Sequence, residues 1–273
     1  MGDHGDEGYP ADGERPVHAV ELPDFWIYRA PVTNAQFMEF VEATGYVTAA
    51  ERFGSSAVFH IGLRAGHEDV LGAVPAVPWW LEVRGADWRH PRGPGGDLDG
   101  LADHPVVHVS WDDAQAYCRW VGRRLLTEAE WEYAARGGLV GRRFPWGDEL
   151  TPGGEWRCNI WQGNFPDTNT AGDGYVLTSP VGSYPPNGYD LVDMAGNVWE
   201  WCVDRFAQNY YARSPRREPR GSRVGATRVV RGGSFLCHES YCHRYRVAAR
   251  SQAAPDSSTS NTGFGCANDA DGP

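Results

Sequence analysis

The sequence predicts a mixed fold of short helices packed on short strands, with a large share of irregular backbone. Three observations carry that expectation. Three separate capping-box patterns announce short amphipathic helices. Strand signals run for only a few residues at a time. The 34 Gly, 19 Pro and 12 Trp among 273 residues point to turns held in place by large rings.

The elements follow in chain order. Thr33 with Gln36 caps a helix whose Phe37, Phe40 and Val41 share one face and which Gly45 stops. Ser110 with Asp113 starts a second helix, with Ala114, Tyr117, Cys118 and Val121 inward and Gly122 at its end. Thr127 with Glu130 starts a third, which carries Trp131 and Ala134 and ends near Gly137. Strands are expected at residues 108–110, 228–231, 244–250 and 263–267; in the third, cations alternate with rings or aliphatics. Residues 142–197 show almost no periodicity, and a loop region that long inside a compact domain is usually functional or ion-stabilised. No linker-like break divides the chain, so residues 1–273 are expected to form one domain.

Composition removes several chemistries. All 25 cations are arginine, which excludes a lysine Schiff base, a phosphate-loop lysine and a lysine general base. The net charge of -11 argues against a nucleic-acid partner. The apolar run at residues 73–81 is too short to span a bilayer and contains prolines, so no membrane association is expected. The polar, acidic opening lacks a signal-peptide pattern, which leads to the expectation of a cytoplasmic protein. In that reducing compartment an individual cysteine among the six reads first as a small buried hydrophobe.

Two segments could carry chemistry. Cys237 and Cys242, five residues apart, face one point only if the chain between them turns. Two thiolates alone suit linear Cu(I), whereas zinc would want four ligands, and His238 and His243 do not give a finger spacing. Two buried thiols or a redox-labile disulfide remain the alternatives. The second signal is oxygen-rich: residues 159–175 and 193–200 fold amides, carboxylates and carbonyls together through glycine turns. Such loops bind hard cations like Ca²⁺, or they are Asx-turns that only bend the backbone.

The chain resembles the formylglycine-generating enzymes (sulfatase-modifying factors) over nearly its whole length. The resemblance is carried by HPVVHVSWDDAQAYCRW, LTEAEWEYAARGG, FPWGDEL, CNIWQGNFP, AGNVWEWC, GGSFLCHESYCHRYRVAAR and a closing GF-x-CA. The cysteine-bearing stretch separates the catalytic branch from relatives sharing only the GNVWEW element, such as the iron-dependent sulfoxide synthases.

That resemblance implies an α+β fold of low regularity, related to C-type lectin domains. It implies oxidation of the cysteine in a Cys-x-Pro-x-Arg segment of a sulfatase polypeptide to Cα-formylglycine, with O₂ as co-substrate and a thiol reductant. Cys237 and Cys242 match the Cu(I)-holding pair, and Ser234 and Trp199 match positions lining the oxygen site beside it. Asn159, Ile160, Asp173 and Tyr175 match one structural Ca²⁺ site; Asp193, Gly196, Val198 and Glu200 match a second. Trp79, Trp80, Ser55 and Tyr241 match or flank the substrate groove. A monomer is expected. A non-catalytic lectin-like binding module is the alternative reading.

The chain departs from the family at several positions. Of the usual opening strand pattern only Met1 and Gly2 are present, so the family's first strand is expected to be missing. Gly265 stands where the closing motif carries arginine, Leu126 replaces a proline ahead of the third helix, and Ser55 replaces an acidic residue near the arginine-binding groove. Cys118 and Cys266 match a disulfide of secreted relatives; the sequence leaves their redox state open and gives neither a catalytic role, while Cys158 and Cys202 read as structural.

Overall fold

The computed structural model describes residues 1–270. In chain order, β1 (Phe25–Ile27) precedes two helices, α1 (Asn34–Thr44) and α2 (Ala49–Phe53). Strands β2 (Ser55–Phe59), β3 (Val70–Ala73) and β4 (Trp80–Arg84) come next, then α3 (Trp111–Trp120) and α4 (Glu128–Arg136). The short ladder β5 (Gly163–Asn164) and β6 (Thr168–Asn169) interrupts the irregular stretch. The chain closes with β7 (Trp199–Arg205), β8 (Arg228–Arg231), β9 (Arg250–Ala253), β10 (Thr262–Gly263) and β11 (Ala267–Asp269).

All three expected capping boxes form. The side chains of Thr33, Ser110 and Thr127 accept from the backbone N–H three residues on, and Gln36, Asp113 and Glu130 reach back. A fourth box, Thr48 with Glu51, starts the five-residue α2, which periodicity did not signal. Gly45, Gly54 and Gly137 stop their helices in the left-handed conformation.

The central sheet runs β10-β7-β8-β9, with β7, β8 and β9 antiparallel and β10 parallel to β7. A second sheet, β2-β4-β3, is antiparallel throughout, and β1 pairs with β11. Rings fill the space that short strands leave. Phe37 meets Trp88 edge-on at 5.2 Å and stacks on Tyr117 at 5.9 Å. None of the described helices is long and apolar enough to cross a membrane.

Two strand expectations fail. Residues 108–110 form no strand, because His108 adopts φ 57 and turns the chain from Val107 into the cap of α3. Of residues 244–250 only Arg250 is in a strand. The alternation there serves ion pairing: Arg244 binds Asp12 and Arg246 binds Glu14. The 263–267 expectation resolves into the ends of β10 and β11, with Phe264, Gly265 and Cys266 between them irregular. Residues 228–231 form β8 as expected.

A buried ionic lattice ties α4 to the central sheet. The Glu128 carboxylate accepts from Arg250 at 2.7 Å, from Arg231 at 3.2 Å and from the Tyr211 hydroxyl at 3.1 Å. Glu132 accepts from Arg231 and Arg136, both at 2.7 Å. Burial pushes the Glu132 carboxyl up, but Arg231 and Arg136 outweigh it and hold its pKa at about 2.

Asp204 is the opposite case. Burial first, then the charge of Glu128, pushes its pKa up to about 8 against the 2.8 Å hydrogen bond from the Glu128 N–H. Its folded-state pKa lies above that of the unfolded chain, so its contribution to stability is complete at acid pH and disappears as pH rises through about 8. Asp204→Asn keeps the acceptor and removes the charge. Denaturant titrations should show wild type losing about 2 kcal/mol between pH 6 and 9 that the variant does not lose. Parallel pH profiles for the two proteins would refute this assignment.

Candidate active site

After β8, Gly232 and Gly233 turn the chain at φ 91 and 74. The Cys237 N–H then donates to the Ser234 carbonyl at 2.9 Å. The N–H groups of Tyr241 and Cys242 both donate to the His238 carbonyl, at 3.0 and 2.7 Å. That last turn folds Cys242 back onto Cys237, and the two sulfurs stand 2.6 Å apart, both buried. The separation exceeds a covalent S–S bond of about 2.05 Å, and both residues are free cysteines.

One thiol of the pair is set to ionise first. The hydrogen bond from Cys237, then the Arg244 guanidinium, hold Cys242 below the ordinary thiol range against its burial. Burial and the adjacent Cys242 sulfur push Cys237 well above it. No cluster of three or more His, Cys, Asp or Glu residues suited to a metal occurs among the described residues. His238 is taken up by Ser240 at 2.8 Å, and His243 packs on Tyr245 at 5.2 Å. Two sulfurs with no third donor fit a soft monovalent ion and do not fit zinc.

Rings enclose the pair. Tyr241 stacks on Phe165 at 4.2 Å, and Trp79 meets both edge-on, at 5.1 and 5.3 Å. Trp199 packs on the cluster that contains both cysteines. Trp80 meets Phe59 at 5.9 Å in the adjoining aromatic cluster. The Ser234 hydroxyl accepts from Asn261 Nδ2 at 2.8 Å, and the Trp199 N–H donates to the Asn261 carbonyl at 2.8 Å. Asn261 thus ties Ser234 to Trp199; its place beside the closing GF motif was its only sequence signal. Ser55 does not join this group. It starts β2, four residues from Phe59, and its hydroxyl donates to Glu82.

The acidic opening of the chain also reaches the dithiol segment, which sequence reading did not anticipate. The His243 N–H donates to the Tyr9 hydroxyl at 3.0 Å, and Arg244 lies over the Tyr9 ring at 4.2 Å while bonding Asp12 at 2.5 Å. Glu14 holds Arg246 at 2.8 Å. Cys242 is therefore followed directly by clamped backbone.

The oxygen-rich loops form the floor. The Asn197 N–H donates to the Asn159 carbonyl at 2.8 Å, Phe235 N–H to the Asn197 carbonyl at 2.9 Å, and Trp161 N–H to the Cys237 carbonyl at 3.0 Å. Gly196 permits this approach: at φ 74 it faces the Asn159 carbonyl, where a Cβ would collide. Within the first loop, Asp173 accepts from the N–H groups of Ile160 and Tyr175, both at 3.0 Å. Asn159 Oδ1 lies buried with no hydrogen-bond partner. The Ile160 carbonyl accepts from Gln162. In the second loop, Asp193 Oδ1 and Glu200 Oε1 are buried and unpartnered. Burial pushes the Asp193 pKa up to about 6 and that of Glu200 to about 8. Gly196 and Val198 lie on the backbone between them. Orphaned oxygens on buried carboxylates and an amide are a donor set that fits a hard cation. Gly265 adjoins this loop: a Cβ there would stand 2.8 Å from Glu200 Oε2.

Cys118 and Cys266 face each other at 3.5 Å as free, buried thiols, and Cys158 and Cys202 are buried too.

The domain family described as sulfatase-modifying factor enzyme 1-like matches residues 1–270. A formylglycine-generating enzyme from Streptomyces coelicolor is 65% identical, over 99% of this chain and 86% of the relative. One from Bos taurus is 53% identical, over 94% of this chain and 69% of the relative. A Mus musculus relative named inactive Cα-formylglycine-generating enzyme 2 is 44% identical, over 96% and 80%. Among solved structures, PvdO from Pseudomonas aeruginosa superposes with a TM-score of 0.70 at 26% identity, covering 98% of this chain and 90% of that one.

The dithiol electrostatics can be checked directly. Ultraviolet thiolate titration should show one cysteine ionising below the usual range near 8.5, and that step should be absent from Cys242→Ala. In Cys237→Ala, the step should move upward because the donating thiol is gone. An early ionisation that survives Cys242→Ala would overturn the assignment.

Proposed function

The chain belongs to the sulfatase-modifying factor enzyme 1-like family, and we propose that it is a copper-dependent oxidase that converts the cysteine of a Cys-x-Pro-x-Arg segment in a sulfatase polypeptide to Cα-formylglycine. The observation that carries the reading is the convergence of Cys237 and Cys242 at 2.6 Å inside an aromatic wall, with no third His, Cys, Asp or Glu completing a metal cluster with them among the described residues. Family membership alone does not decide activity, since a relative named inactive shares 44% of its residues.

The two sulfurs would hold Cu(I), which supplies a soft site open to a third sulfur and the redox chemistry for reducing O₂. Overall, CH₂–SH, O₂ and two reducing equivalents from a thiol become CHO, H₂S and H₂O. Holding the ion would require both sulfurs as thiolates, and Cys237 Sγ, the less acidic partner, would keep its proton longer than Cys242. The resulting single net negative charge sits in a ring-lined pocket beside Arg244, which tolerates it better than two bare thiolates. Phe165, Tyr241 and Trp79 exclude bulk water from the sulfur that enters. Ser234, immobilised by Asn261, and Trp199 form the wall where O₂ would sit.

Ca²⁺ is the proposed occupant of both oxygen-rich loops. Asn159, the Ile160 carbonyl, Asp173 and the Tyr175 carbonyl would supply one site; Asp193, Gly196, Val198 and Glu200 would supply the other. The unpartnered Asn159, Asp193 and Glu200 oxygens support this.

Two experiments test the proposal. A Cys-x-Pro-x-Arg peptide incubated with Cu(I)-loaded protein, O₂ and a thiol should acquire the aldehyde mass. Protein with either Cys237 or Cys242 replaced by Ala should give only background and bind no copper, where wild type binds one ion per chain. A binding module would leave the peptide intact under conditions where a control enzyme turns over. For calcium, the raised carboxyl values of Asp193 and Glu200 mean that chelated protein loses stability as pH rises through about 6 and 8. Saturating Ca²⁺ should therefore raise the melting temperature by about 5 °C at pH 8.5, and by less at pH 5. Equal melting curves with and without Ca²⁺ at pH 8.5 would refute both sites.

A further inference from the structure

Strand β4 begins at Trp80, beside the rings that wall the dithiol, and runs away from it. Val83 is fully buried and Leu81 packs in the same apolar cluster, which by the two-residue period of a strand sends Trp80, Glu82 and Arg84 to the other face. Registry with β2 puts Phe59 opposite Trp80, Ala57 opposite Glu82 and Ser55 opposite Arg84; β3 adds Gly72 beside Glu82. Moving outward from the sulfur pair, this face therefore reads Trp80 with Phe59, then Glu82 flanked by Ala57 and Gly72, then Arg84 with Ser55.

The acid in the middle of this face has no cation. Among the described residues, Glu82 has no ion-pair partner, and its carboxylate is oriented by the Ser55 hydroxyl. The one arginine on the same face, Arg84, is engaged elsewhere, with Asp69 at 3.9 Å and the Glu68 carbonyl at 3.4 Å. A half-buried carboxylate without a countercharge, held by a hydroxyl above a floor of Ala57 and Gly72, suits an incoming guanidinium.

The spacing agrees. Glu82 lies two residues of strand, about 7 Å, beyond Trp80, which directly follows Trp79, whose ring touches Tyr241 next to Cys242. An arginine four residues from a substrate cysteine lies at most about 14 Å along an extended peptide.

We propose that Glu82 is a specificity-determining residue, its carboxylate pairing with the arginine side chain of the substrate peptide while Ser55 orients it. This rests on the function proposed above, and it places the acidic role of the groove on β4 rather than at position 55.

The test separates the two claims. Fluorescence anisotropy would measure binding to Cu(I)-free protein of a labelled peptide with serine in place of the reactive cysteine. The arginine peptide is compared with one carrying neutral citrulline. Wild type should prefer arginine by about tenfold, and Glu82→Gln should bind both peptides like the wild-type–citrulline pair. With the reactive peptides, Glu82→Gln should raise KM for arginine about tenfold and leave kcat unchanged. Glu82→Arg should reverse the preference toward a peptide with glutamate at that position. An arginine preference that survives Glu82→Gln would overturn the assignment of Glu82 while leaving the oxidation proposal intact. Loss of turnover on every peptide, with the binding preference retained, would sink the oxidation proposal and leave Glu82 standing.

Discussion

The molecule depends on a few carboxylate–guanidinium contacts made out of reach of water. Glu128 and Glu132 project from α4 into the ends of β8 and β9, and Arg231 and Arg250 meet them there with both partners almost wholly buried. Helices of five to eleven residues and strands of two to seven offer little regular hydrogen bonding to organise a chain this size. Desolvating each charge is costly, and removing one partner of such a pair commonly costs about 3–5 kcal/mol because the other is stranded. The lattice therefore works as a positional lock. Arg231 is its central member and the last residue of β8, so the next five residues carry the chain directly to Cys237.

From that lock the site is built by stacking irregular segments. Gly232 is bonded to Gly196, Phe235 to Asn197, and Asn197 to Asn159, so the cysteine segment and the two oxygen-rich loops share one hydrogen-bonded layer. The dithiol takes its geometry from that layer and its electrostatics from the other side, where Tyr9 and Asp12 pin the residues after Cys242. The paired sulfurs are thus held by elements far away in sequence. Local order at the pair is as dependent on the first fourteen residues as on its own turn.

Legibility in the sequence followed the range of the forces involved. Capping boxes are local, so the three longer helices were readable from Thr33, Ser110 and Thr127; α2 carries the same box but is too short to show a periodic face. The cysteine pair and the oxygen-rich loops were readable because their residue types are chemically unusual in combination. Tyr9, Asp12, Glu14 and Asn261 were not, since each acts across more than two hundred residues or through a backbone atom. The arginines of residues 244–250 imitated a strand because alternating burial looks alike whether it serves a sheet or a set of ion pairs. His108 failed for a different reason: its left-handed φ is stabilised by Ser56 and the Pro91 carbonyl at 2.8 and 3.0 Å, partners that no local pattern reveals.

The choice of arginine for every cation has an effect beyond geometry. A guanidinium keeps its proton at any pH a protein meets, so the interior lattice has no basic member that can discharge in alkali. Where lysine ammonium groups would shed charge and abandon their carboxylates, this framework stays ionic on the cationic side. Burial keeps the Tyr211 phenol, wedged among the same arginines, protonated well above the normal range. Resistance to strong base is thereby delegated to buried phenols, and caustic washing or alkaline storage would challenge the molecule there before it touched the salt links.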